Sequence, residues 1–461
     1  IIDNENFKRA NIKKTTISDK IDSIVTNKYL GIPIFIAVIA LVYYIAIVTV
    51  GTALTDYVND VVVDEWARGG MRNFLEGLGT SPVLISLVVD GIIKGVGAII
   101  GFTPQMAVLF LLLTILEQCG YMARVALLLD KLFSKFGLSG RSFISLLVGT
   151  GCSVPGILAS RTIEDDGQRK MTILTTSFMP CSAKLPIISL IIGSFFPKSW
   201  WLAPLSYFIG ITAVIISGLI LKKTDRFKNK KIPFVMELPN FQIPSVKEVL
   251  RAVWNNIRAF ISKAGSIILL SSIFIWLLSS FTLKGGFSYT TDPNSSILAF
   301  LGSLIAPIFK PLGFGNWQAT SATLMGFVAK ENLVTTYGIL TGIAEDANEL
   351  VEMGNFEALS PIAEQLSQAG ALSLLIFNLL CAPCFAAVGA MNQEFRDRKM
   401  TLWAIGYQTL FAYLVSFSLY QLMTAIQTSN VTIVTILGFL PILLAIYLIS
   451  RKNKEESASE L

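Results

Sequence analysis

The sequence predicts an all-α polytopic membrane protein made of two related, inverted halves, with broken or re-entrant helices at motif-bearing segments. Three observations carry that expectation. Of 461 residues, 53% are hydrophobic and only 15% are charged, and mean hydropathy is +0.63, so the chain has more apolar surface than a water-soluble domain of this size buries. Three apolar stretches carry Gly, Pro and Cys where a spanning helix needs helix formers. Two short signatures recur in the same order in both parts of the chain.

In chain order, residues 1–30 are polar and basic, without the early apolar run of a signal peptide, and read as a cytoplasmic tether. The chain opens on Ile1, as a piece of a longer protein would. Apolar segments at 31–54, 105–129, 171–195, 202–221, 260–280, 371–391, 402–424 and 431–450 approach the roughly 20 residues a spanning helix needs, for about eight to ten spans in all. They divide into a first transmembrane half at 31–222 and a second at 260–450. Between the halves, 223–259 is a basic loop followed by an interfacial helix, and 451–461 is a tail. Lys and Arg cluster at 8–28, 222–231 and 451–454, which places both termini and the middle loop in the cytoplasm by the positive-inside bias. Loops 56–65 and 341–370 are acidic and fall outside, where they can concentrate cations. The stretch 246–263 spaces Val246, Val249, Leu250, Val253, Trp254 and Ile257 along one face beside Lys247, Arg251 and Arg258, the pattern of an interfacial amphipathic helix.

The repeat is read from GYMAR at 120–124 against GFVAK at 326–330, and from RKMT at 169–172 against RKMT at 398–401. In that register Cys381 lies 17 residues before Arg398, as Cys152 lies before Arg169, while Cys384 lies 14 before, so the spacing favours Cys381 as the symmetry mate of Cys152.

The interrupted segments are FISLLVGTGCSVPGILAS at 143–160, TSFMPCSAKLPIISL at 176–190 and FNLLCAPCFAAVGA at 377–390. Gly costs about 1 kcal/mol and Pro about 3 kcal/mol in a helix interior relative to Ala. Close helix packing through small residues accounts for the glycines of the first segment but not for Pro155 beside Thr150, Cys152 and Ser153. A break frees backbone carbonyls, which lipid cannot satisfy but an ion or a wet cavity can. Glu117 and Glu331 lie in apolar surroundings, where a carboxylate serves either a cargo or a structural pair; Arg124, two turns beyond Glu117, is a candidate partner, and Asp90 is a weaker candidate for the same role.

All five cysteines (119, 152, 181, 381, 384) lie in or beside apolar segments, which argues against a disulfide framework, and histidine is absent. A metal would therefore be held by sulfur, carboxylate, hydroxyl or backbone oxygen. The candidate ligands are Cys152, Cys181, Cys384, Cys381, Glu117, Glu331, Ser153 and Thr150, a mixed set that suits a soft-to-borderline divalent ion better than Mg²⁺ or Ca²⁺. The CxxC of Cys381 and Cys384 leaves a membrane thiol-disulfide oxidoreductase as one alternative, and a carrier of nucleosides or other organic solutes as another.

Taken together, LEQCGYMARVAL at 116–127, VGTGCSVPGILASRTIE at 148–164, FMPCSAKLP at 178–186, MGFVAKE at 325–331, APCFAAVGAM at 382–391 and TLWAIGYQTLFAYLV at 401–415 resemble the membrane region of the ferrous iron transport protein B family. The resemblance runs from about residue 25 to 450. It implies two gate regions, Fe²⁺ as transported substrate rather than bound cofactor, and a bacterial inner-membrane location. It carries a metal path onto Cys152, Cys181 and Cys384, with Glu117, Lys330 and Glu331 also matching. Gln118 and Cys119 depart from the family's usual acidic and small residues. The resemblance favours Cys384 as the ligand, where the repeat spacing favours Cys381. It further implies an N-terminal GTP-binding domain of the same protein and small cytoplasmic accessory proteins as partners, besides the lipid bilayer and a possible homo-oligomer. The residues numbered here contain no GxxxxGK[ST] phosphate loop, so nucleotide hydrolysis is not expected of them. No enzyme activity, bound cofactor or nucleic-acid partner is expected.

Overall fold

The computed structural model describes residues 22, 24–27, 30–133, 136–199, 201–224, 227, 241–282, 288–290, 293–343, 347–428 and 433–450. Most of the basic tether, most of the middle basic loop and the 451–461 tail lie outside these residues.

Helix α1 (Gly31–Gly77) passes through π-helical stretches at Tyr44–Thr49 and Val58–Gly69. Its 47 residues, at about 1.5 Å each, are roughly twice what the hydrocarbon core requires. The 56–65 segment expected as an acidic loop is therefore helix, although Asp56, Asp60, Asp64 and Glu65 remain exposed on it. Helix α2 (Pro82–Gln118) ends where Gly120 adopts φ +85°, a left-handed turn that only glycine makes without strain. α3 (Tyr121–Phe133) starts directly after it, so the expected 105–129 span is broken. The turn also separates Glu117 from Arg124. Arg124 is buried, bonds the Asp22 carboxylate and the Gly120 carbonyl (2.8 Å), and stacks on Phe241 at 3.7 Å.

Ser139 opens α4 (Gly140–Gly151) with a reciprocal capping box to Ser142. α5 (Ser153–Ala159) follows across Cys152, whose backbone is extended at φ −151°, ψ 133°. Asp165 caps α6 (Asp166–Thr176), which an irregular segment joins to α7 (Leu185–Phe195). α8 (Leu202–Lys222) ends on lysines, as the helix dipole favours. The interfacial helix and the span expected at 246–280 form one uninterrupted helix, α9 (Val246–Ser280), capped by Ser245.

A two-residue hairpin, β1 (Phe281–Thr282) paired with β2 (Ser288–Tyr289), precedes the second half. There α10 (Ile297–Phe309) and α11 (Trp317–Val328) belong to apolar stretches that meet at 98°, and α12 (Asn332–Leu340) follows. α13 (Ala347–Glu352) and α14 (Ser360–Ala363) come from the 341–370 stretch expected as an open acidic loop. That stretch instead packs down, burying Ala347, Leu350, Leu359 and Ile362, while Glu357 and Glu364 stay exposed. α15 (Gln368–Leu380), α16 (Phe385–Phe395), α17 (Arg398–Thr428) and α18 (Ile433–Ser450) complete the chain.

Among the described residues five helices are long and apolar enough to cross a membrane, or six if the bent pair counts as one span. The protein is thus a multi-pass membrane protein with fewer full spans than its apolar segments predict, because several segments are divided into short helices. Exposed Leu402 and Leu410 on α17, and Ile436, Leu440 and Leu443 on α18, face outward as lipid-contacting surface. Gly406, on the same face of α17, has nothing within 4 Å of where a Cβ would stand. Gly406→Ala is accordingly expected to be neutral or to stabilise by up to about 1 kcal/mol, read as an unchanged or raised thermal midpoint in detergent.

The repeat is present in a different register from the one read off the tetrapeptides. RKMT at 169–172 lies in α6, before the 177–184 break, whereas RKMT at 398–401 opens α17, after the 381–384 break. Cys152 instead corresponds to Ala329, whose backbone (φ −144°, ψ 130°) nearly reproduces its own. Pro180-Cys181 corresponds to Pro383-Cys384, each cysteine standing extended just before helix resumes.

Candidate functional site

In a continuous helix, residues seven apart are separated by about 10 Å along the axis. A Cβ added to Gly156 would stand 2.7 Å from the Gly149 Cα, so the chain must reverse between α4 and α5, with Cys152 at the tip. The second half repeats this: a Cβ on Gly326 would stand 3.4 Å from the Leu333 Cβ, and Ala329, Lys330 and Glu331 form the tip between α11 and α12. Residues 329–331 contain no Gly or Pro to signal the turn. The Gly326–Leu333 spacing, matching Gly149–Gly156, is the signal that marks it.

The other two breaks, at 177–184 and 381–384, run through the protein interior. Ser182 Oγ donates to the Gly151 carbonyl at 2.9 Å, tying one break to the neighbouring hairpin tip. Lys184, 1% exposed, donates to the carbonyls of Ser177 (2.9 Å), Leu379 (2.6 Å) and, more weakly, Met179 (3.4 Å). Its ammonium has three N–H groups, and all three find acceptors. Because Leu379 belongs to α15, Lys184 joins the two halves at the point where both are unwound. Further ties between the halves are Arg161 to Glu394 (Nε, 2.8 Å) and Gln408 Nε2 to the Leu174 carbonyl (2.9 Å).

All four breaks meet at one cavity of about 240 Å³. Cys152 and Ser153 line it from the first hairpin, Cys181 from the first broken helix, Glu331 from the second hairpin and Cys384 from the second broken helix. Cys152, Cys384 and Glu331 are half-buried, while Cys181 and Ser153 are buried. Among the described residues no three Cys, Asp or Glu side chains converge closely enough to form a metal cage.

The remaining candidates are placed elsewhere. Glu117 is exposed at the end of α2 and does not line the cavity. Thr150 faces away from it, bonding the Tyr43 hydroxyl and the Leu147 carbonyl. Cys381 is fully buried behind the wall, its sulfur accepting from Lys330 Nζ at 3.1 Å. The assignment of Cys381 as the mate of Cys152 is therefore corrected, because a one-turn difference in where helix ends puts Cys384 on the cavity and Cys381 beneath it. Asp90 does reach the lining, from α2, and is held there by Arg68 (3.5 Å), Arg72 (3.6 Å) and Ser86 (3.2 Å). Sequence reasoning missed Phe102, Phe260 and Trp276, which close the cavity from α2 and α9, and Asn332, Thr335 and Thr336, which continue its polar wall along α12. The aromatic residues carry no motif, but the Asn/Thr/Thr spacing after Glu331 is that of one helix face.

Two re-entrant hairpins and two broken helices around a buried cavity define a multi-pass membrane protein of the discontinuous-helix class, whose sites lie where helices unwind. Comparison with known proteins agrees. A gate family described as "Nucleoside recognition" matches residues 99–195 and 261–398, and "Ferrous iron transport protein B C terminus" matches 203–256. The chain belongs to the ferrous iron transport protein B family. It is 38% identical over 409 residues to a protein of Staphylococcus aureus (strain COL) named "Fe(2+) transporter FeoB", covering 88% of this chain and 59% of that protein. A protein of the same name from Campylobacter jejuni is 34% identical over 414 residues, covering 88% of this chain and 65% of the relative. A Porphyromonas gingivalis relative named "Fe(2+) transport protein A/Fe(2+) transporter FeoB fusion protein" is 34% identical over 455 residues, covering 91% and 53%. The chain thus spans 59% of the length of the first of these relatives. No solved structure matches it.

Proposed function

We propose that this chain is the membrane part of a ferrous iron importer, and that Fe²⁺ passes through the cavity where the four breaks meet. The observation that carries the reading is the lining itself: three cysteines and one glutamate, brought from four separate breaks to one cavity. Sulfur with carboxylate and hydroxyl oxygen suits a borderline ion such as Fe²⁺. The ion would retain part of its water shell there, because the side chains line the cavity without closing into a cage. Glu331 would offset cargo charge, and Cys152, Cys181 and Cys384 would select against harder ions. The location would be the bacterial inner membrane with both termini cytoplasmic, and the chain would act as a transporter rather than an enzyme. A relative named as a fusion with transport protein A supports a small accessory protein as one partner, and a GTP-binding domain of the same protein would be another.

Replacing Cys152 and Cys181 together by Ala is expected to abolish uptake of radioactive Fe²⁺ into vesicles. Near-normal uptake would remove the cysteine path. A second reading, a nucleoside carrier, is favoured by the description of the matching gate family and by a cavity of about 240 Å³. Competition separates the two: excess nucleoside leaves Fe²⁺ uptake unchanged on the iron reading and suppresses it on the other. The thiol-redox alternative is disfavoured by the unlike settings of its pair, Cys381 being wholly buried against Lys330 while Cys384 faces the cavity, both as free thiols.

A further inference from the structure

Three lysines line the cavity. Lys94, on α2, is exposed, and the two buried ones are held in opposite ways. Lys184 has every ammonium proton on a backbone carbonyl, so it is fixed as part of the scaffold. Lys330 is 2% exposed, yet its single hydrogen bond among the described residues goes to the Cys381 sulfur, a weak acceptor, at 3.1 Å. Its other contact among the described residues is the Phe327 ring, 5.0 Å from Nζ to the centroid. It forms no ion pair among the described residues, although Glu331 is the next residue. A buried ammonium with two unplaced donors is costly to hold, and this one sits on the tip of a hairpin that lines the cavity, against Cys381 just behind a wall that carries Cys152, Cys181, Cys384 and Glu331. An ammonium in that place repels a divalent cation entering the cavity.

We propose that Lys330 is a tethered competitor for the cation site: its ammonium supplies positive charge to the empty cavity, and an arriving divalent cation displaces it. This rests on the Fe²⁺ reading of the same cavity. The weak tether to Cys381 is what makes displacement feasible, where the triple anchoring of Lys184 forbids it. Loading then brings the ion's two positive charges to a wall where the ammonium had supplied one, Glu331 offsetting part of the excess, and the ammonium's return helps expel the cargo. The second hairpin tip is thereby both wall and release device.

The test is anaerobic equilibrium dialysis of radioactive Fe²⁺ against the purified full chain in detergent, with the thermal midpoint measured alongside. Lys330→Met, similar in length but uncharged, is expected to bind Fe²⁺ at least tenfold more tightly and to release it more slowly. Lys330→Arg separates charge from packing: tightening in the Met variant alone supports the proposal, and equal tightening in both overturns it. Unchanged or weaker binding by a Met variant of normal thermal midpoint also overturns it. Should the Met variant fail to fold, Lys330→Gln is held to the same thresholds. The Cys152→Ala/Cys181→Ala variant separates this idea from the one beneath it. If that variant binds Fe²⁺ as the parent chain does, the cavity is not the iron site and the proposal falls with it. If it loses Fe²⁺ while Lys330→Met changes nothing, only the competitor role is lost.

Discussion

Replacing Gly156 by Val is expected to eliminate Fe²⁺ uptake and to lower stability by about 3 kcal/mol, the upper part of the range for overpacking. A Cβ at this position would lie 2.7 Å from the Gly149 Cα, 2.8 Å from the Gly149 nitrogen and 2.9 Å from the Ser145 carbonyl oxygen. All three are backbone atoms of α4, so no side-chain rotation relieves the clash. The hairpin must open, which moves Cys152 at its tip away from the cavity it lines. The effect on function should therefore exceed that of removing the Cys152 thiol alone. Thermal midpoint and vesicle uptake, measured on the same preparation, check both parts. A Gly156→Val chain with normal uptake would show that the two hairpin arms do not need this contact. Gly406→Ala, with open space around it, is the matched control for a glycine substitution as such.

Lys184→Met is expected to destabilise the chain by about 3 kcal/mol and to loosen one half from the other. The substitution leaves the carbonyls of Ser177 and Leu379 without their donor in an interior where each unsatisfied polar group costs about 1–3 kcal/mol. Relief from burying an ammonium offsets part of that loss. Leu379 ends α15 one residue before its last, and Ser177 directly follows α6, so the lost bonds are those that join the two interior breaks. A lowered thermal midpoint together with faster proteolysis is the expected result. An unchanged midpoint would mean that these carbonyls find other donors. The contrast with Lys330→Met matters, because one lysine is predicted to act on stability and the other on cation affinity.

How much of this was legible beforehand differs by level. Composition alone required a bilayer, since no arrangement of this chain hides so much apolar surface from water. Three of the four breaks were legible because Gly and Pro impose their costs locally, whatever the fold. The fourth, at Ala329–Glu331, was not, because its residues tolerate helix and only the packing of Gly326 on Leu333 reverses the chain there. The tetrapeptide repeat misled for a related reason. RKMT falls in two helices that do not correspond, one before an interior break and one after, with its Met and Thr buried in both, whereas the structural repeat follows backbone geometry at Cys152 and Ala329 and at the two Pro-Cys pairs. Glu117 was a sound candidate on hydropathy, but the turn at Gly120 ends its helix and leaves it exposed, away from the cavity.

By itself the sequence determined the class, the membrane setting and the positions of most helix breaks, because each depends on apolar content or on residues whose conformational cost is local. Which of these breaks share a cavity was decided only by the tertiary structure. Cys152, Cys181, Glu331 and Cys384 lie as far apart as 232 residues in sequence, and nothing in their local surroundings distinguishes them from Thr150 or Cys381 nearby. A side chain's access to a cavity depends on which way the chain turns one residue earlier or later and on what packs behind it. At Cys381 and Cys384 that difference, three residues, puts one thiol under a lysine and the other on the cavity wall.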